Sequence, residues 1–115
     1  MNNVVAIDCS RITSMDDFHR VFAEAMGFPD FYGKNMNAWI DCMTSLDCPE
    51  DGMTKLHAPK NGFLVLKLLN VNDMISACPA AYEVLVDDVA FINWRKMEAG
   101  EQPVIALAYH ADHNR

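Results

Sequence analysis

Five glycines, five prolines and no polar low-complexity tract among 115 residues leave little material for a flexible linker and speak against wholesale disorder. No run of 18 apolar residues occurs, which excludes a bilayer-spanning helix. The opening MNNVVAIDCS lacks a basic region and a long enough apolar stretch, so no secretory signal is expected and the localisation is read as cytoplasmic. The four cysteines, Cys9, Cys42, Cys48 and Cys78, form no CxxC pair and have no histidine at ligand spacing. That argues for reduced thiols in a cytoplasm and against zinc. There is no glycine-rich phosphate loop. No serine or cysteine comes with a convincing base and orienting partner, so nucleophilic catalysis has no support. His110 and His113 flank Asp112 at the end of the chain, a chance cluster. Neither a metal nor an organic cofactor is called for.

Positive charge is also short. Nine lysines and arginines stand against sixteen aspartates and glutamates, a formal net charge of −7. Such a surface repels nucleic-acid phosphates and anionic membranes and attracts a basic partner.

Apolar material is plentiful. Hydrophobic residues make up 51% of the chain, enough for one core without disulfide or metal staples. The expectation is a single domain over residues 1–115, with 110–115 as a frayed tail. The eight methionines mostly fall at apolar helical positions, where they fill core space.

Along the chain, Val4 to Ile7 is a short β-favouring run. Ser14 before Met15, Asp16 and Asp17 is a helix start, with a hydroxyl cap and acids on the positive end of the dipole. Met15, Phe18, Val21, Phe22, Ala25 and Met26 form that helix's apolar stripe. Gly27 is placed to end it in a left-handed turn. Phe28-Pro29-Asp30-Phe31-Tyr32-Gly33 is a stiff aromatic turn. Asn35 to Leu46 reads as a second amphipathic helix, with Met36, Trp39, Ile40, Met43 and Leu46 inward and Asn37, Asp41 and Ser45 on a polar face. Residues 47–61 read as a long surface loop. Phe63 to Leu69 is apolar enough for a strand buried on both faces. A short helix at Val71–Ala77 follows. Pro79 then opens a longer helix, where its missing amide costs nothing. Tyr82, Leu85, Val86, Val89, Ile92 and Met97 supply its stripe, and Gly100 ends it. Pro103 to Tyr109 is a third strand. This order implies parallel strands joined by crossovers. The expected fold is α/β, a three-stranded parallel sheet packed by about four helices, with strand order left open.

Phe28 to Leu46, FPDFYGKNMNAWIDCMTSL, carries the most specific pattern. Proline and an acid precede two aromatics and a glycine. A charged residue and Asn35 follow, then an amphipathic helix holding Asp41-Cys42-x-Thr44. This stretch resembles the barstar family, the intracellular inhibitors of barnase-type ribonucleases, and the element order fits that family as well. The longer segment after Leu46 resembles a barstar-related subfamily.

The resemblance implies that the second helix and the loop before it plug a ribonuclease active site. In that picture Asp41 stands in for an RNA phosphate, and the enzyme's phosphate-binding cations pair with it. Partner contacts implied by match are Tyr32, Gly33, Asp41 and Thr44. Contacts implied by position, but with changed residues, are Phe31 (no hydroxyl), Asn37 (for an aspartate), Ile40 (for a tryptophan), Ser45 (for a glycine) and Leu46 (for a tryptophan). The family's contact glutamate on the last helix falls near Trp94 or Arg95. These departures imply a basic, secreted-type ribonuclease other than barnase. No nucleic acid or membrane is expected as partner, and the free protein is expected to be a monomer.

Two other functions remain open on the sequence. One is a protein-binding adaptor on the same fold without inhibitory activity. The other is a small enzyme using the 47–61 loop as a lid. Residues 28–54 hold five acids against Lys34 alone, a net −4, which suits the phosphate-mimicking surface.

Overall fold

The computed structural model describes residues 3–112. Three strands, β1 (Val4–Asp8), β2 (Leu64–Leu69) and β3 (Ile105–Ala108), form one sheet in the order β1-β2-β3, with both pairings parallel. The helices are α1 (Met15–Met26), α2 (Met36–Thr44), α3 (Val71–Ala77) and α4 (Pro79–Glu98). The expected α/β sheet with four helices is therefore what forms, and β2 supplies the central strand. Among the described residues no helix is long and apolar enough to cross a membrane.

Local chemistry places the helix ends. Ser14 accepts a hydrogen bond from the Asp17 N–H at the start of α1. Gly27 closes α1 with φ +68°, its N–H donating to the Ala23 carbonyl. A side chain there would be strained by that φ, and its Cβ would also meet the Lys55 side chain at 2.7 Å. Asn35 caps α2 by accepting from the Ala38 N–H at 2.8 Å.

The sheet corrects one expectation. β2 is not buried on both faces: Leu64, Leu66 and Leu68 are buried while Lys67 and Leu69 are exposed. The buried row continues into Ile7 and Ile105, and the helical layer covers it. The apolar residues of the other row suggested double burial in the sequence, yet Lys67 already breaks that row.

α4 corrects another. Its buried side is Ala81, Leu85, Val89, Ile92 and Lys96, and Met97 is exposed. The helix turns the lysine inward because two acids await it. Lys96 Nζ lies 2.9 Å from Asp47 Oδ1 and 3.4 Å from Glu101 Oε1. Burial opposes the charge on Lys96, but the hydrogen bonds and charges of Asp47 and Glu101 outweigh it and hold its pKa above the ordinary lysine value.

The 47–61 segment is tied down rather than loose. One short 3-10 turn, Ser45–Asp47, leads into it and a second, Pro49–Asp51, lies within it. The Lys55 N–H donates to the Met26 carbonyl and the Ala58 N–H to the Leu46 carbonyl, and Thr54 and Ala58 are buried. At the other end of the chain, the Asp112 N–H donates to Asn72 Oδ1 and Ala111 packs against the core. The tail expected to fray is therefore held as far as Asp112. Residues 113–115, with His113, lie outside the described residues.

Candidate partner-binding surface

Two elements build the surface: the turn Phe28–Gly33 and the helix α2. In the turn, the Tyr32 N–H donates to the Pro29 carbonyl at 2.9 Å. Phe28 and Tyr32 rings pack at 4.7 Å between centroids. Tyr32 is buried, and its hydroxyl meets Nδ1 of the buried His19 at 2.5 Å. Burial raises the Tyr32 pKa, so the phenol stays protonated. Burial also lowers the His19 pKa, favouring the neutral imidazole. With its base thus anchored inside, the turn presents Phe31 at 76% exposure, alongside exposed Gly33.

This anchor carries a pH signature. A depressed folded pKa means the unfolded chain takes up the proton first as pH falls. The contribution of His19 is complete above its ordinary pKa of 6.5 and is lost as pH drops through the lower folded value. His19→Gln, whose amide oxygen can still accept from Tyr32, is expected to remove that component. Urea unfolding of both proteins from about pH 7.5 to about pH 5 checks it: the stability difference should change across the window, and a constant difference would refute it.

α2 divides its residues cleanly. Trp39, Cys42 and Met43 are buried, while Asn37 and Asp41, four apart, are exposed on the outward side. None of the ion pairs among the described residues involves Asp41. Its carboxylate therefore stands in solvent on a capped helix, available to an external cation. Burial pushes the neighbouring Cys42 thiol up to about 11, and the charge of Asp41 adds to that shift. Cys42 is thus an inert core-edge thiol. Ile40 is half-buried against the core. Thr44, also half-buried, uses its hydroxyl on the Ile40 carbonyl at 2.6 Å. Ser45, at the end of α2, donates its hydroxyl to Asp51 at 2.9 Å, tying the acidic segment back to the helix.

Leu46 is fully buried, which corrects its assignment as a partner contact. The helical turn tightens to 3-10 geometry at Ser45–Asp47, and the new turn sends Leu46 into the core. Tyr32 likewise offers little surface, and its role is to hold the turn. The surface available to a partner is Phe31, Gly33, Asn37, Asp41 and parts of Ile40, Thr44 and Ser45.

Sequence reasoning missed His19 as the turn's anchor. It lies on α1 beside the apolar stripe, one residue from Phe18. The signal was available, since Phe18, His19 and Phe22 share one side of α1 with a tyrosine in the following turn.

For catalysis the arrangement offers little. A hollow of about 610 Å³ lies over the exposed sheet face, bordered by Lys67, Leu69, Tyr109 and His110. It is an open depression remote in the fold from α2. Among the described residues, no three histidine, cysteine or acidic side chains are grouped to hold a metal ion.

Comparison with known proteins gives one family. The family model described as Barstar (barnase inhibitor) matches residues 2–107. No curated protein matches the chain.

Proposed function

Because the chain belongs to the barstar family, we propose that it inhibits a basic ribonuclease by placing the Asp41 carboxylate in the enzyme's phosphate-binding site. The observation that carries this reading is the state of Asp41: exposed, in no ion pair among the described residues, and projecting from a helix whose opposite side is locked in the core. An RNA-cleaving site is cationic because its substrate is anionic. A carboxylate seated there forms charge-assisted hydrogen bonds with side chains built for phosphate. Phe31, on the turn that precedes α2, adds an exposed aromatic anchor, the kind of residue that protein interfaces favour.

Asp41, Glu50 and Asp51 give the surface an acidic field. Opposite charge on the nuclease speeds encounter, and salt screens that gain. Titrating a barnase-type ribonuclease with this protein while following RNA hydrolysis tests the reading. The expected result is loss of activity at a one-to-one ratio, with an association rate that falls as salt rises. A one-to-one complex that still cleaves RNA would favour the adaptor reading instead. The 47–61 segment, pinned at Lys55 and Ala58, gives no support to a lid.

A further inference from the structure

The outward side of α4 carries Phe91, Trp94 and Met97, the last two 58% and 60% exposed. Scattered exposed apolar residues are ordinary, but these are joined to a cation. The Phe91 and Trp94 rings stack with centroids 6.4 Å apart and planes 25° apart. The Arg95 guanidinium sits over the Phe91 ring at 5.3 Å, an attraction between cation and π face that holds the side chain in place.

Arg95 differs from the other arginines of the described structure. Arg11 pairs with Glu24 and Arg20 with Asp17, whereas no carboxylate among the described residues pairs with Arg95. Its position is equally particular. A groove of about 150 Å³ between α2 and α4 is lined by Thr44, Arg95, Lys96, Ala99 and Glu101. Lys96 is engaged with Asp47 and Glu101. The free cation of the groove is therefore Arg95, beside Thr44 at the end of the helix that carries Asp41.

We propose that Arg95, seated on Phe91 beside Trp94, is a specificity-determining contact of the Asp41 surface, which rejects a nuclease bearing a cation at that point and accepts one bearing a carboxylate. The inference rests on the inhibitor reading and deepens it by stating what flanks the partner's cleft. A uniformly cationic cleft meets Asp41 favourably and Arg95 unfavourably. A cleft with an aspartate or glutamate on that flank gains a fork-to-fork pair with the guanidinium above an apolar platform. Like charges set against the wrong partner are a standard source of interface specificity.

Barnase serves as the probe, with wild-type protein, Arg95→Glu, Arg95→Ala, Asp41→Ala and Lys67→Glu compared by equilibrium titration and stopped-flow association. Lys67 lies on the opposite sheet face, so Lys67→Glu alters net charge as Arg95→Glu does without touching the surface. Circular dichroism confirms that each variant folds. The expected result is barnase binding about tenfold or more tighter for Arg95→Glu than for Lys67→Glu, with Arg95→Ala between them. Equal behaviour of Arg95→Glu and Lys67→Glu, including no detectable binding by either, overturns the proposal. If Asp41→Ala lowers binding in that case, the inhibitor reading survives alone. Binding indifferent to Asp41→Ala overturns both. A dimer of the free protein that Arg95→Glu dissolves, seen by sedimentation, would assign the patch to a second copy and also overturn the proposal.

Discussion

Asp41→Ala is expected to weaken binding to an inhibited ribonuclease by about 2–5 kcal/mol, roughly 30- to 5,000-fold, a range that already includes charge pairs of the barnase–barstar complex. The loss exceeds that of one ordinary surface ion pair because of what remains behind. Cations assembled to hold a phosphate are left facing one another in a site from which the inhibitor has excluded water. Asp41→Asn, which keeps the shape and removes the charge, is expected to lose most of the same energy. The fold should be indifferent to either change, since Asp41 is exposed and makes no ion pair among the described residues. The rate constants separate its role from that of its neighbours. Loss of Asp41 should appear chiefly as faster dissociation and persist at high salt. Removing Glu50, on the adjoining turn, should slow association at low salt and fade as salt rises. Stopped-flow association and competition dissociation measure both. An Asp41→Ala protein that dissociates no faster than wild type would move the interface away from α2.

Much of the fold was legible because short-range chemistry decides it. Ser14, Gly27, Asn35 and Pro79 mark helix boundaries through hydrogen bonds and backbone angles available within a few residues. The apolar periods of α1 and α2 are strong enough to survive any reasonable packing. The parallel sheet followed from the alternation of strands and helices.

What stayed hidden depends on partners distant in the chain. Lys96 turns inward in place of Met97 because Asp47, 49 residues earlier, meets it; a helical stripe read by hydrophobicity alone assigns the burial to the methionine. Leu46 left the candidate surface because the helix tightens at Ser45, and the Ala58 N–H bonding to its carbonyl fixes the chain there. The 47–61 segment read as a long surface loop, yet its backbone groups find acceptors at Met26 on α1 and at Leu46 just past α2. In the candidate site, the four-residue repeat placed Asn37 and Asp41 on a polar face, while their choice as partner contacts came from the resemblance of Phe28 to Leu46 to the barstar family. The groove that joins α2 to Arg95 was not legible in the sequence, since crossing geometry between helices is set by whole side-chain ridges rather than by either sequence segment.

Trp39 lies directly beneath the proposed surface, and its replacement yields the largest expected change in stability. It is fully buried, edge-on to Phe22 at 5.5 Å and tilted against Phe18 at 5.9 Å. Trp39→Ala is expected to cost about 3–5 kcal/mol through lost burial and the cavity left between α1 and α2. Trp39→Phe should cost much less than its volume change suggests. The indole Nε1 is a buried donor with no hydrogen-bond partner among the described residues, so native Trp39 already bears an unsatisfied N–H worth about 1–3 kcal/mol. Phenylalanine removes that group along with part of the ring, and the two effects offset. Denaturant unfolding of the two variants decides the matter: a Phe variant as unstable as the Ala variant would mean that the N–H is satisfied in solution. Because α2 is seated by Trp39, Cys42 and Met43, the functional consequence follows the same order. Trp39→Phe should still present Asp41 rigidly and bind a nuclease nearly as wild type. Trp39→Ala should lose affinity even where it remains folded, since the carboxylate then projects from a helix free to shift against its core.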